Sequence, residues 1–544
     1  MSVGNAVELD LEAGAVEWLP ERRFREEDLK LFWFHDSLHN NPPITPMGAS
    51  TYHWPRASQY AAEHLSLPTS RGFDFRLFYG RIYPAPLPIT DPEEIEARAA
   101  VFQQRVWELI TRWPDYYQAC VREWLAMLEY LQGIKREVLP LPKLLAVLDD
   151  SIRVSMRSWE IHFECMYTCF TAYLAFEQIC RKHGIGERDM RIFLQGFDTK
   201  MYEVDRGLWR LAVLARDLAL GDKFATAEKM EDLERQLQQC ETGRVWLDQF
   251  RDFLHRYGRR TTAALFDPAY KTWLEDPYPV LFTVRTYVMR GAFDFEEHAK
   301  RIVEERDRFI AATAARLPRE EKEEFLRALK EAQNTYPFNE DHNFYVEQWA
   351  YAELRYSILE AGRRLAAYHI LAAPEDVFFL TYDELRSLLE ALLLNERLGV
   401  QEGKLRYTQM VADRKRIWQR LHEVQPPPFI GSVPETRLED PVFIKIWGHT
   451  DEVIRGKVRP RAGVSRKIEG FPGAPGVAEG VARVISGYEG FSEVMPDDIL
   501  IAPFTTPAWT PLFSKIKAVA TDSGGMLAHA AICAREYGIP AVVG

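Results

Sequence analysis

Apolar residues recur at three- and four-residue spacing through most of the chain before Arg397, the period of helices with one buried face. The pattern predicts helices over Leu141–His183, Glu187–Ala219, Thr226–Tyr257, Phe295–Leu317, Arg319–Asn334 and Asn343–Leu371. An earlier helical stretch starts at Asp91 with Pro92 in its first turn and runs through Trp107, Trp113 and Trp124 to Gly133, broken at Pro114. No fixed-period repeat runs through this array, which argues against a solenoid. Ahead of it, residues 1–90 are rich in Pro and aromatics, a density that disfavours long regular elements and suits a loop layer or the wall of an apolar pocket. After Gly470 the period changes, and strand-like runs at Gly480–Ile485, Asp498–Ala502 and Ala518–Thr521 precede a last helix.

The expected architecture is a multidomain α + α/β chain. An N-terminal part (1–90) and a large, mostly α-helical domain (91–395) lead through a linker region (396–469) to a small α/β domain (470–544). Within the linker, Val424–Gly431 reads as extended, and Lys457–Gly470 as a basic, flexible tether. Its fourteen residues reach at most about 45–50 Å.

The final stretch carries the clearest chemistry. The run Ala518–Ala520 meets a turn at Gly524 and Gly525, and a helix follows from about Met526 to Tyr537. Gly538 is placed as its left-handed cap, and Pro540 prevents continuation. His529 then lies in the first turn, beside backbone N–H groups without intrahelical partners, where a phosphoryl group on the imidazole would be stabilised. Gly524, Gly525 and Arg535 are the candidate phosphate contacts. On spacing alone, a capping or packing role for His529 competes with this one.

The run from Thr521 to Gly544, with Gly470–Gly480 and Thr506–Phe513, resembles the phosphohistidine swivelling domain of the phosphoenolpyruvate-utilising enzymes. That family includes pyruvate phosphate dikinase, phosphoenolpyruvate synthase, rifampicin phosphotransferase and phenylphosphate synthase. The resemblance implies that His529 is phosphorylated. It departs from the family at Ala528, where a Ser precedes the His, and at Leu527, a Thr in the dikinase. It also implies a further closing strand beyond Gly544, so the last domain is expected to be incomplete.

Several patches of the helical region resemble the acceptor domains of rifampicin phosphotransferase-like and phenylphosphate synthase-like proteins. They are Pro43–Met47, Tyr79–Tyr83, Leu194–Phe197, Tyr257–Arg260 and Glu375–Leu385, where an extended Val-Phe-Phe-Leu run is expected to meet a capped helix. The most chemical is Glu340-Asp-His-Asn-Phe-Tyr-Val-Glu347. There His342 is a candidate base, with Asp341 and Glu340 as carboxylates to orient it or raise its pKa. An acidic helix start that favours the dipole is the competing explanation. Tyr345, His53 and Arg81 are further candidates for the acceptor pocket.

Composition narrows the partners. The net charge of −12 argues against nucleic acid or an anionic membrane surface, and no apolar run is long enough to span a bilayer. The acidic N-terminus lacks a signal-like segment, so a cytoplasmic location is expected. Six cysteines without a C-x-x-C pair read as free thiols. His162, Cys165 and Cys169 share a helical face, but without a fourth ligand nearby the sequence favours packing, and no metal site is expected.

No Walker-type motif or ATP-grasp-like segment is found. The resemblance therefore implies a split phosphotransferase. A separate ATP-grasp subunit, binding ATP and Mg²⁺, would charge His529, and the acceptor would be a phenol or cresol, giving an aryl phosphate, AMP and phosphate. Alternatives are a rifampicin-like alcohol as acceptor, a protein-to-protein phosphocarrier like enzyme I of the sugar phosphotransferase system, or a scaffold subunit that has lost its chemistry.

Overall fold

The computed structural model describes residues 10–40, 42–227, 229–261, 266–290, 295–432, 445–449, 454, 469–506 and 509–544. Its central element is the 42-residue helix Leu141–Lys182, about 63 Å long at 1.5 Å per residue. Pro142 sits in its first turn, where a missing N–H costs nothing, and no Gly or Pro follows. Residues 161–170 are buried without interruption, so this part of the helix is surrounded on all sides. Helices Trp54–Leu65, Arg319–Thr335 and Tyr351–Ala367 pack around it.

Two predicted helices are divided. Glu187–Ala219 breaks into Glu187–Phe193 and Lys200–Asp217, because Gly196 takes φ +73° and the Thr199 side chain accepts from Tyr202 N–H to cap the second piece. Thr226–Tyr257 becomes Met230–Gln238 and Glu241–Tyr257, after a short turn of helix at Gly221–Thr226. The expected extended run at Val377–Leu380 is instead a 3₁₀ helix, Pro374–Phe379. The capped helix after it is present, with Thr381 and Glu384 forming a reciprocal capping box.

Between Phe338–His342 and Tyr351–Ala367 the chain adopts eight residues of π-helix, Asn343–Ala350. Such segments are rare and concentrate at functional sites.

The Pro-rich N-terminal part is more regular than its composition suggests. Ser70–Phe78 and Arg81–Pro88 form an antiparallel hairpin. Its prolines at 84, 86 and 88 are two residues apart, so their missing N–H groups all fall on the same side of the strand and interrupt no ladder bond. Phe32–Phe34 pairs with Phe429–Gly431, which fastens the start of the chain to the segment after the helical array.

The expected linker is also corrected. Glu396–Leu421 is a 26-residue helix packed on Tyr382–Leu394, so residues 396–432 belong to the helical body. The tether lies outside the described residues except for its last two positions, Glu469 and Gly470.

The C-terminal domain is a five-stranded sheet with strand order 471–474, 541–543, 518–521, 499–502, 482–484. All neighbours are parallel except the first pair. The strand Ala541–Val543, missed in the sequence, is paired on both sides. Helix His529–Glu536 lies on this sheet through Ala530, Ala531 and Ala534, small residues that let it approach closely. Gly538 takes φ +66° just past the helix, as its spacing predicts. No helix among the described residues is long and apolar enough to cross a membrane.

Candidate functional site

The C-terminal domain is docked on the helical body, and a buried cavity of about 90 Å³ lies where they meet. Its walls include Trp54, Trp159, Met166, Phe170, Phe266 and Phe338. Into it face His39, His162, His342, Glu340 and Glu347 from the helical body, and His529 from the docked domain. The structure thus brings together three of the residues singled out in the sequence, His529, Glu340 and His342.

His529 is the first residue of its helix, and Ala528 is the N-cap with φ −71° and ψ 151°. With no side-chain oxygen at Ala528, the cap makes no hydrogen bond to the first turn. The imidazole is enclosed, with only 9% of the side chain exposed. Its Nδ1 lies 3.4 Å from Glu340 Oε2, and its Nε2 lies 3.3 Å from both Thr510 Oγ1 and Cys533 Sγ. Neither oxygen of the buried Glu340 carboxylate has a hydrogen-bond partner among the described residues.

His342 bonds neither of the carboxylates expected to orient it, though Glu340 helps to raise its pKa. Its Nδ1–H donates to Phe338 O at 2.9 Å, and its Nε2 faces Glu347 Oε1 at 3.4 Å. Burial would lower the His342 pKa, but Glu347, the Phe338 carbonyl and Glu340 together raise it above the ordinary value. Asp341 points elsewhere. It accepts Lys200 N–H at 2.7 Å and Tyr117 O–H at 2.9 Å, and burial pushes its pKa up to about 6 against those two bonds. Asp341 therefore ties helices together and does not orient His342.

The other sequence candidates also lie away from the cavity. His53 is buried at the start of Trp54–Leu65, and burial with the charge of Arg56 lowers its pKa to about 4. Arg81 donates to Leu421 O at 3.3 Å, and Tyr345 stacks on Trp124 with ring centres 5.3 Å apart. Arg535 is held in a structural role. Its Nη1 donates to Gly473 O (2.8 Å) and Met526 O (3.0 Å), and its Nη2 to Tyr336 O–H (3.2 Å). Gly525 N–H donates to Ile446 O at 2.7 Å, so it too is engaged. Gly524 holds φ +115°, a conformation that requires glycine.

Residues that the sequence did not assign to the acceptor pocket complete the site. His39 Nδ1 is 2.9 Å from Asp36 Oδ1, and the ring stacks on Phe266 at 5.0 Å. Asp36 is fully buried and also accepts Trp447 Nε1–H at 2.9 Å. Burial would raise the Asp36 pKa, but His39, Trp447 and His35 hold it below the usual carboxylate range. Burial drives the His162 pKa well down, helped by the charges of His342 and His39, which leaves that imidazole neutral. Of these residues, only the His39–Asp36 pair had a local signal, at three-residue spacing. His162 was weighed as a metal ligand, but its helical neighbours Cys165 and Cys169 contact Cys120 and Thr335 O instead. No cluster of three potential ligands occurs among the described residues.

Docking uses specific polar contacts. Leu527 N–H donates to Lys445 O at 2.9 Å, Gly196 N–H to Glu536 at 3.1 Å, and Tyr537 O–H to Asp205 at 3.2 Å. Ser37 and Ser523 share a hydrogen bond of 2.6 Å.

Fold and site together are those of a helical domain serving a small domain that presents a histidine. Comparison with known proteins agrees. Residues 162–340 match the rifampicin phosphotransferase fourth domain, and residues 494–544 match the mobile domain of PEP-utilising enzymes. The chain thus carries domains of the PEP-utilising, dikinase-type phosphotransferase family. It is 30% identical over 529 residues to chondramide synthase cmdD of Chondromyces crocatus, covering 95% of this chain and 13% of that protein. It is 30% identical over 353 residues to the uncharacterized phosphotransferase YvkC of Bacillus subtilis, covering 64% and 40%. It is 29% identical over 319 residues to a rifampicin phosphotransferase of Bacillus cereus, covering 57% and 33%. The chain thus spans well under half the length of these relatives.

Proposed function

We infer that His529 carries a phosphoryl group to the hydroxyl of an acceptor bound in the cavity. The observation that carries this reading is the presence of His529 and a set of acid–base side chains in one enclosed, aromatic-walled space. An imidazole this enclosed is out of reach of a nucleotide, so the C-terminal domain must leave the helical body to be charged and return to transfer. Docking also shields the labile P–N bond from water.

The donor is an ATP-grasp unit that binds ATP and Mg²⁺ and lies on a separate subunit, leaving AMP and phosphate as the other products. The acceptor is a compact phenol such as phenol or a cresol, and the product is an aryl phosphate. Drug-sized ligands occupy pockets of about 300–1,000 Å³. A cavity of about 90 Å³ favours a single ring over a polyketide alcohol.

A single-turnover chase tests this reading. Chain labelled at His529 is mixed with phenol, and aryl phosphate is measured against free phosphate. Label transferred to phenol supports it. Label lost only to water, or only to an added protein, contradicts it.

A further inference from the structure

Three imidazoles of the helical body face the cavity, and their hydrogen bonds separate their roles. His342 has both nitrogens engaged. Its Nδ1 must carry a proton to bond Phe338 O, and its Nε2 points at the Glu347 carboxylate. With both nitrogens turned to these groups, it offers neither to an acceptor hydroxyl. His162 is fully buried and neutral, with its ring centre 4.7 Å from that of His342. His39 differs from both. Asp36 fixes its Nδ1 at 2.9 Å and 3.1 Å from the two carboxylate oxygens, the ring lies flat on Phe266, and no partner is found for Nε2 among the described residues. A carboxylate that orients one nitrogen and leaves the other to the substrate is the arrangement a general base requires.

The carboxylate behind His39 is tied to docking. Asp36 accepts the Trp447 indole N–H, and the residues just before Trp447 bind the C-terminal domain through Ile446 O and Lys445 O. Ser37, next in sequence to Asp36, meets Ser523 of that domain. A docked carrier therefore braces both sides of Asp36.

We propose that His39 is the base that removes the acceptor's hydroxyl proton, with Asp36 and Trp447 as positioning residues that couple it to docking. This rests on the phosphoryl-transfer reading above. In the step, the acceptor O–H bond breaks and its proton passes to His39 Nε2. The oxygen forms the new O–P bond, and the P–N bond to His529 breaks with its electron pair returning to the imidazole. His39 releases its proton to water once the carrier leaves. The charged and titratable groups around His39 are Asp36, Glu347 and His162, with His35 near Asp36. Burial lowers the His39 pKa, but Asp36 and Glu347 outweigh it and hold it above the ordinary histidine value.

The test charges the purified chain with phosphoramidate, which transfers its phosphoryl group to imidazole with loss of ammonia. Label absent from His529→Ala identifies the site. The charged protein is then chased with phenol in quenched flow across a range of pH, for wild type and for His39→Gln, Asp36→Asn, Trp447→Phe and Glu347→Gln. His39→Gln is expected to retain the label on His529 but chase about 10²–10³-fold more slowly. Asp36→Asn is expected to move the acid limb of the rate profile to lower pH, a shift that a merely structural role would not produce. Trp447→Phe is expected to slow the chase with the label intact. A His39→Gln chase at the wild-type rate would overturn the proposal, as would a loss confined to Glu347→Gln, which would make Glu347 the base. Wild-type protein that never takes label on His529 would sink the phosphoryl-transfer reading and His39's role with it. Labelled wild type with an unaltered His39→Gln sinks His39 alone.

Discussion

His342 Nε2 lies 3.4 Å from Glu347 Oε1, five residues further along the chain. In an α-helix, residues five apart are rotated by about 140° and face different sides. The π-helix Asn343–Ala350 has a longer hydrogen-bonded turn and carries Glu347 round to the face of His342.

The pair has a pH signature. The His342 pKa is raised, so its contribution to stability is complete below the ordinary histidine value and is lost as pH rises through the folded value. Glu347→Gln removes the main group that raises it. The melting temperature should therefore drop more at pH 5.5 than at pH 8.5. Histidine NMR should show His342 titrating at lower pH in the variant.

Docking should also respond to pH. Asp205 and Glu536 sit at the interface with pKa values pushed up to about 7 by burial. Arg260 and the Tyr537 hydroxyl oppose the shift at Asp205. The Gly196 N–H, Arg535 and Arg306 oppose it at Glu536, and Glu340 adds to both shifts. Carboxylates raised in this way favour the docked form at low pH. That preference fades as pH climbs from the ordinary carboxylate range through about 7. Cross-linking between the helical body and the C-terminal domain should fall between pH 5 and pH 8. The fall should flatten in the double variant Asp205→Asn, Glu536→Gln.

Arg535→Met tests whether this side chain acts in structure. It would leave Gly473 O and Met526 O buried without their donor, at about 1–3 kcal/mol each. Denaturant unfolding followed in the C-terminal domain should show that loss. An unchanged midpoint with weaker phosphoryl binding would instead restore the phosphate-contact role.

Ala528→Ser supplies the missing cap. A hydroxyl at this position can accept an N–H from the first turn of His529–Glu536, and a cap of this type contributes about 0.5–2 kcal/mol. The variant should melt at a higher temperature, measured by calorimetry.

The helix at His529, its glycine cap and the alternation of strands and helices around it were legible because each depends on neighbouring residues. The partners of His342 were not. Adjacent carboxylates at Glu340 and Asp341 looked like its orienting groups, but helical geometry sends one to His529 and the other to Lys200 and Tyr117. Glu347 could be found only by knowing that the local helix is π. Arg535 looked free for phosphate because a sequence does not display the backbone carbonyls that occupy it. The helix Glu396–Leu421 was hidden by its glycines, which weaken the helical signal. They are there for close packing, since a Cβ on Gly399 would come within 2.7 Å of Leu392 N, and one on Gly403 within 2.8 Å of Ile370. His39 and Trp447, four hundred residues apart, meet at Asp36 only in the folded chain.

The most direct measurement is the fate of label from β-³²P-ATP when the chain is incubated with an ATP-grasp partner and Mg²⁺. Acid-labile label on the chain that disappears in His529→Ala and moves to phenol on addition is the predicted result. Absence of label with a competent partner, or label that persists in His529→Ala, would contradict it.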